Sequence, residues 1–154
     1  MTAAWGGISE ETEITICISD EHKTAKNLTF HKGFTVGIAD VANMKAADFV
    51  GVVSGNKDAD KVEKTGWTVE KSNFVDAPVF AELPLVLECE VISYDVPSCR
   101  LIGRIVNVAA EEKVFNAEGK LDIAKLNPIT YDPINHTYHA IGECVGKAFV
   151  NAKL

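Results

Sequence analysis

The sequence lacks the features that mark a membrane-spanning, secreted or nucleic-acid-binding protein. No apolar run reaches the roughly 18 residues of a membrane-spanning helix, and no basic segment followed by an apolar one marks a secretory signal. Lysine and arginine number 15 against 22 aspartates and glutamates, which leaves a net charge of −7. Because this charge repels a phosphate backbone, we expect no nucleic-acid partner, and the missing apolar run predicts no membrane partner.

Cysteine is scarce, and its 4 positions form neither a Cys-x-x-Cys pair nor a zinc spacing. Cys17 and Cys89 lie in β-rich runs and are predicted to be small core residues. Reduced thiols in a cytoplasmic protein are therefore expected. His136 and His139 would face opposite sides of a strand, so we predict no metal site.

Motifs of nucleophilic and nucleotide chemistry are also missing. The chain has no Gly-x-Ser-x-Gly and no Gly-x-Gly-x-x-Gly, and residues 51–55 lack the Gly-Lys-Ser/Thr of a P-loop. Acidic pairs such as Glu88 and Glu90 are interpreted as a solvated face or as protection of a sheet edge. We therefore predict no catalytic side chain.

What is present is the pattern of a compact domain rich in strands. With 154 residues and 47% hydrophobic content, the chain is long enough to bury a core, and we expect one domain over residues 1–154. Strands are predicted at residues 14–18 and 33–39, and a hairpin joins the long β-runs 85–94 and 99–109. Gly103 in the second run predicts a bulge or bend. Helices are expected at 41–53, capped by Asp40, and at 58–64, ended by Gly66. The fold class is α+β, mainly β and barrel-like, with peripheral helices.

Two segments have the composition of phosphate-binding loops. Ser54 and Gly55 follow an apolar run and precede a predicted helix that carries Lys61, an arrangement that leaves backbone N–H groups and a cation for an anion. His22, Lys23 and Thr24 follow a strand in the same way. Each could instead be an ordinary capped helix start with solvated basic side chains.

The small residues of the N-terminal segment suit a flat ring. Residues 1–7 read Met-Thr-Ala-Ala-Trp-Gly-Gly, and small side chains let an aromatic ring approach the backbone. Taken with two anion sites, they indicate a phosphorylated aromatic ligand. The residues alone do not name it.

Motifs along nearly the whole chain then resemble one family. They are the N-terminal Met-Thr-Ala-Ala-Trp-Gly-Gly, His-Lys-Thr at 22–24, Gly-Phe-Thr-Val at 33–36, the segment 49–55, Asp-Lys at 60–61, Gly66, Ala-Pro at 77–78, the segments 85–89 and 103–108, Ile-Thr-Tyr-Asp-Pro at 129–133, and the segment 142–149. Together they resemble the flavoredoxin group of flavin reductase-like proteins.

The resemblance implies a split β-barrel of the FMN-binding flavin reductase type, assembled as a homodimer with the flavin near the subunit interface. By position, Thr2, Ala3, Ala4 and Trp5 would lie along the isoalloxazine ring. Ser19, His22, Lys23 and Thr24 would approach the ribityl chain and phosphate, and Ser54, Gly55 and Lys61 would complete the phosphate site.

Two departures from the family stand out. Relatives often carry an arginine-rich segment where this chain has residues 19–22, so part of the positive charge is missing. Relatives also have a helix and a strand before the Met-Thr-Ala-Ala-Trp segment, which begins here at residue 1. We therefore expect this chain to lack the family's first strand.

The resemblance implies an oxidoreductase that passes electrons from NADH or NADPH through FMN to an acceptor or to free flavin. The cofactor would perform the redox step, with Lys23 and Lys61 as counter-charges to its phosphate and Trp5 beside its ring. Two alternatives stay open. One is a non-catalytic flavin-binding protein or electron carrier, and the other is a degenerate barrel that binds no flavin.

Overall fold

Strands dominate the computed structural model, which describes residues 1–149. The strands are β1 (Gly6–Glu10), β2 (Glu13–Cys17), β3 (Gly33–Gly37), β4 (Val69–Lys71), β5 (Pro78–Phe80), β6 (Leu85–Asp95), β7 (Arg100–Ala110), β8 (Ile129–Asp132) and β9 (Thr137–Ala140). The helices are α1 (Lys23–His31), α2 (Met44–Val52) and α3 (Ile123–Leu126), with 3₁₀ turns at Glu63–Thr65 and Glu112–Val114. None of the helices within residues 1–149 combines the length and apolar character that crossing a membrane requires.

The main sheet has five antiparallel strands in the order β1-β2-β7-β6-β3. Its centre is the predicted hairpin β6–β7, whose connection ends at Cys99 with a φ of 58°. Two further antiparallel pairs, β4–β5 and β8–β9, lie outside this sheet. The sequence therefore predicted the central strands and their hairpin correctly.

Buried side chains of β2, β3, β6, β7 and α1 form the core. The cluster comprises Ile14, Ile16, Ile18, Ala25, Leu28, Phe34, Leu87, Cys89 and Leu101. Gly103 faces Ile14 across the β2–β7 ladder, and a Cβ built on it would overlap the ring of Phe34. Only glycine lets this ring lie against the strand. The β6–β7 ladder shifts register twice: Val106 of β7 is the extra residue in the first shift, and Ile92 of β6, next to the Val91–Gly103 pair, is the extra residue in the second. The bulge predicted near Gly103 is therefore present.

Two helix predictions need correction. The helix predicted at 41–53 begins at Met44, because the Asp40 carboxylate accepts the backbone N–H of Asn43 at 2.9 Å and holds a separate turn before it. The helix predicted at 58–64 is wrong, since the segment forms only the 3₁₀ turn Glu63–Thr65. There the Asp58 side chain accepts the N–H of Asp60 at 3.2 Å, a local bond that competes with helix formation. Gly66 does end that turn, with a φ of 76°.

Two burial predictions are also wrong. Cys89 is fully buried as predicted, but Cys17 is exposed, because it ends β2 at the rim of the sheet. Glu88, interpreted from sequence as a solvated or edge residue, is 4% exposed. Its carboxyl group accepts hydrogen bonds from the Ser72 hydroxyl and, at 2.6 Å, from Asn107 Nδ2. These bonds compensate the burial of a polar group.

We expect Ser72→Ala to lower the free energy of unfolding by about 1–3 kcal/mol, because it leaves a buried carboxyl group with one hydrogen bond fewer. The Ser72 hydroxyl oxygen also accepts the N–H groups of Phe74 and Val75, at 3.0 and 2.9 Å, so the loop after β4 loses its anchor. Urea denaturation measures the change. The matched control is Ser98→Ala, which removes an exposed hydroxyl bonded to Asp95. Equal losses in the two variants would contradict the role of burial.

Candidate functional site

A cavity of about 1270 Å³ opens beside the main sheet. Its walls come from the N-terminal segment 1–4, from one side of α1 and α2, from β3, from the β4–β5 pair and from the β8–β9 hairpin. A cavity on this scale exceeds the roughly 300–1,000 Å³ of most small-molecule pockets. It therefore has room for a ligand larger than a single ring.

The two segments predicted as anion sites lie side by side, and each adjoins the cavity through a residue of its lining, Thr24 next to Lys23 and Val62 next to Lys61. Asn56 joins them: its Nδ2 donates to the backbone carbonyl of Glu21 at 2.8 Å, and its Oδ1 accepts from Lys26 Nζ at 3.4 Å. The residues joined are 30 or more positions apart in sequence. Two loops that each gave a weak signal are thus one structural unit.

Glycine at position 55 brings two lysine side chains together. A Cβ built on Gly55 would lie 3.4 Å from Lys23 Cδ and 3.6 Å from Lys61 Cε. The loop is partly open to solvent, since Ser54 is exposed and Gly55 is half-buried. We call the group formed by Lys23, Ser54, Gly55 and Lys61 the lysine cradle.

Lys61 is built into the fold as well as into the cradle. Its Nζ donates to the carbonyl of Val50 at 2.7 Å and to that of Val53 at 2.8 Å, two carbonyls at the C-terminal end of α2. Burial lowers the pKa of its ammonium group, and the Asp58 carboxylate partly opposes that change. An ammonium group has three donors, so one N–H remains for an anion.

The N-terminus of α1 faces the same place. The helix begins at Lys23, and the extended His22 before it provides no capping bond. The Ser19 hydroxyl instead accepts the N–H of Glu21 at 3.4 Å, in the turn before the helix. Unpaired N–H groups and the helix dipole at such a terminus attract an anion. Ser19 therefore does not cap α1.

The N-terminal segment supplies one wall of the cavity. Thr2, Ala3 and Ala4 line it, as does Thr24 from the first turn of α1. A Cβ on Gly51 would overlap Thr2 Oγ1, so the absence of a side chain at 51 lets the segment lie against α2. Trp5 is 57% exposed and lies outside the lining, while its carbonyl accepts the N–H of Cys17 at 2.9 Å.

The structure thus places the predicted residues in two groups. Those that line the cavity are Thr2, Ala3, Ala4 and Thr24, and those around the adjoining lysine cradle are Lys23, Ser54, Gly55 and Lys61. Ser19 and His22 precede α1, while Trp5 points elsewhere. The contacts with a flavin that were predicted for all of these residues stay predictions.

Sequence reasoning missed the far wall of the cavity. The β8–β9 hairpin contributes Tyr131, His136 and Tyr138, and the Tyr138 hydroxyl donates to the Asp48 carboxylate of α2 at 2.8 Å. Burial, followed by this bond, raises the pKa of Tyr138 to about 12. The available signal was a tyrosine in each of two short strands, Tyr131 and Tyr138, which the structure pairs across the β8–β9 ladder. Nothing local to the hairpin links it to Asp48, which is 90 residues away.

A histidine–aspartate pair lies at a third edge of the cavity. His31, the last residue of α1, has its Nδ1 2.7 Å from the Asp76 carboxylate, and Lys71 Nζ is 3.6 Å from the other oxygen. The hydrogen bond to His31 lowers the pKa of Asp76. Both partners of the close pair are more than half exposed, so this contact adds little stability.

Comparison with known proteins identifies the type of fold. A family model described as "Flavin reductase like domain" matches residues 8–139. The flavoredoxin of Desulfovibrio vulgaris (Miyazaki F) superposes with a TM-score of 0.93 at 32% identity, over 99% of this chain and 84% of that one. No curated protein sequence matches the chain significantly.

Two more distant structures share the fold. Flavoredoxin from Methanosarcina acetivorans has a TM-score of 0.89 at 24% identity, over 99% of this chain and 82% of its own. An FMN-binding domain of a flavin reductase-like enzyme from Shewanella baltica OS155 has a TM-score of 0.85 at 22% identity, over 96% and 81%. The predicted fold, a mainly β split barrel of the flavin reductase type with peripheral helices, is confirmed.

Proposed function

The chain belongs to the flavin reductase-like domain family, and from that premise we propose that it is an FMN-binding oxidoreductase of the flavoredoxin or NAD(P)H:flavin reductase type. The observation that carries the proposal is the lysine cradle beside a cavity whose N-terminal wall consists of the small residues Thr2, Ala3 and Ala4. When bound, FMN would supply hydride and electron transfer between a reduced nicotinamide and an acceptor, which the protein's own side chains do not.

The residues present fit a flavin phosphate. A phosphate ester carries roughly −1.5 to −2 charges at neutral pH, and the α1 N-terminus, Lys23 and the third N–H of Lys61 converge where Gly55 leaves space. Thr24, in the same turn of α1 as Lys23, lines the cavity and would bind the hydroxyl groups of the ribityl chain next to the phosphate. The positive charges of Lys23 and Lys61 would take the place of the arginines that relatives often carry where this chain has residues 19–22.

The remaining residues orient a ring and exclude water. Ala3 and Ala4 present small side chains and backbone to the cavity, which would let a flat ring lie close to them. Ile16, Ile18 and Leu101 of the core form an apolar floor from which water is excluded. Backbone N–H donors near that ring would tune it, and no acid–base side chain is required.

We expect Lys61→Met to weaken FMN binding by about 1–3 kcal/mol, because a charge-assisted hydrogen bond to the phosphate is lost. It should also lower stability, since the carbonyls of Val50 and Val53 lose their donor. Fluorescence titration of FMN and thermal denaturation measure the two effects. Lys64→Met is the matched control, because that lysine makes only a surface ion pair with Asp58. An unchanged FMN affinity in Lys61→Met would show that Lys61 does not bind the phosphate.

Stopped-flow mixing of the FMN-loaded protein with NADH and with NADPH tests the activity. A reductase bleaches the flavin absorbance rapidly with one of the two donors. The second candidate function is a non-catalytic flavin-binding protein or electron carrier, whose flavin would stay coloured with both donors. The lysine cradle supports this candidate too, because it accounts for FMN binding without requiring a reaction with a nicotinamide. A folded protein that takes up no FMN would support the degenerate barrel.

We also propose that the protein is a homodimer. The outer side of β7 presents Val106 and Val108, 38% and 55% exposed, and Ile8 on the edge strand β1 is 61% exposed. Apolar side chains grouped on one sheet are typical of an interface. Light scattering after gel filtration should give twice the chain mass of 16.7 kDa.

We further propose a cytoplasmic location and a single domain over residues 1–154.

A further inference from the structure

The segment that follows β9, residues 141–149, lies on the outside of the fold. It contains no helix or strand, and every one of its residues is exposed. Within residues 1–149, the backbone hydrogen bond that joins it to the rest of the domain runs from the N–H of Ile141 to the carbonyl of Pro128, at 3.3 Å. We call residues 141–149 the exposed tail.

Large apolar side chains recur along the exposed tail. Ile141, Val145 and Phe149 are spaced four residues apart. All three are exposed, and the side chains of Val145 and Phe149 are as accessible to solvent as in an isolated peptide. Apolar side chains that are grouped on one exposed segment are typical of a surface that another molecule covers.

The contacts of the tail within its own chain do not account for its course. Fixing the backbone costs conformational entropy, which buried side chains or hydrogen bonds must offset. Beyond the bond of Ile141, the tail within residues 1–149 has only a local contact of Cys144 Sγ with the carbonyl of Gly146, at 3.5 Å. The superposition on the flavoredoxin of Desulfovibrio vulgaris nevertheless spans 99% of this chain, which includes most of the tail. A course that two chains share indicates a partner that is available to both, and each chain has its own copies.

The area that a stable dimer requires also favours a second copy as the partner. A specific interface covers about 800 Å² on each protein. The side chains already proposed for the dimer, Ile8, Val106 and Val108, are only partly exposed and fall far short of that area. The ring of Phe149 alone would add about 150–250 Å², and a dimer contains two tails.

Charge favours the same partner. Each chain carries a net charge of −7, so two copies repel each other unless neutral surfaces meet. The exposed tail provides such a surface, because Glu143 and Lys147 are its two charged residues and balance each other. A membrane with anionic lipids attracts basic segments, and the tail is not one.

We propose that the exposed tail packs on the surface of a second copy of this chain and buries Val145 and Phe149 there. In a two-fold dimer each chain gives its tail to the other, so the contact is made twice. This contact goes beyond FMN binding and rests on the homodimer proposed above, not on the flavin.

Sedimentation velocity over a range of protein concentrations tests the contact with the double variant Val145→Ser/Phe149→Ser. We expect its dimer to dissociate at a roughly hundredfold higher concentration than the parent dimer, because two apolar side chains are lost from each of two tails. Circular dichroism should show an unchanged fold, since these side chains are fully exposed in their own chain.

The matched control is Phe30→Ser/Ile134→Ser, which removes two apolar side chains that are 81% and 85% exposed on α1 and on the β8–β9 turn. Its dimer should dissociate as the parent dimer does. Equal weakening in both double variants would overturn the proposal, because apolar surface in general would then drive association. A tail variant that dimerises like the parent would uphold the homodimer and refute the tail contact, and a monomeric parent would refute both.

Photo-cross-linking of the purified protein shows which chain the tail touches. With Phe149→p-benzoylphenylalanine, illumination should give a product of twice the chain mass of 16.7 kDa, and the same substitution at Phe30 should give none. A cross-link confined to one chain would overturn the proposal. The expected product from a protein that takes up no FMN would uphold the tail contact while the proposed function fails.

Discussion

Gly55→Asp is expected to weaken FMN binding about a hundredfold or more, which is roughly 3 kcal/mol. The new Cβ would make ordinary contacts with Lys23 and Lys61, at 3.4 and 3.6 Å, so the side chain fits without a clash. Its carboxylate would then pair with the two lysines and occupy the position proposed for the phosphate, which it also repels. Fluorescence titration gives the affinity, and circular dichroism checks that the fold is kept.

The matched control for this variant is Gly55→Asn. Asparagine has the same shape without the charge, so we expect a loss of less than about tenfold. If both variants lose FMN equally, shape and not charge decides binding at this position. If Gly55→Asp binds FMN as the parent does, the phosphate does not bind in the lysine cradle.

Gly103→Ala is expected to destabilise the fold by about 3 kcal/mol, the upper end of the cost of overpacking a core. The added methyl group would overlap the Phe34 ring and lie 3.4 Å from the Cβ of Cys89, a fully buried residue. Neither neighbour has room to withdraw, because Phe34 is 8% exposed and belongs to the core cluster. Thermal and urea denaturation measure the loss.

A double-mutant cycle with Phe34→Leu tests the physical reason. Leucine lacks the ring atoms that the new methyl group would meet, so the double variant should be more stable than the two single losses predict, by about 1 kcal/mol or more. Gly7→Ala, at a glycine of β1 with nothing within 4 Å of its Cβ position, should change stability by less than about 0.5 kcal/mol. Additive losses in the cycle would show that the cost at Gly103 has another origin.

Local patterns were sufficient to predict the strands that carry the core. The β-branched residues of β2 and the alternation in β7 predict strands correctly because burial alternates along both. In β6 four consecutive residues, 86–89, are buried, and the strand was predicted from its β-forming residues. The helix predicted at residues 58–64 was wrong because the Asp58 side chain accepts the backbone N–H of Asp60, a local hydrogen bond that competes with helix formation. The composition of the segment does not show this bond. Glu88 was misread for a related reason: a buried glutamate depends on Ser72 and Asn107, which lie 16 and 19 residues away.

The candidate site was predictable in its parts but not as a whole. Each loop of the lysine cradle has a recognisable sequence, yet only the long-range bonds of Asn56 show that the two loops adjoin. The engagement of Lys61 with the carbonyls of α2 likewise follows from packing and not from spacing. The β8–β9 hairpin had no sequence signal that connects it to the cavity, because its position depends on the contact of Tyr138 with Asp48.

The most direct test of the central claim is the absorbance spectrum of the purified chain after addition of FMN and desalting. We expect the flavin bands to be retained at about one FMN per chain and to be lost in Gly55→Asp. A folded parent protein that emerges colourless would contradict the claim that the lysine cradle and its cavity hold a flavin.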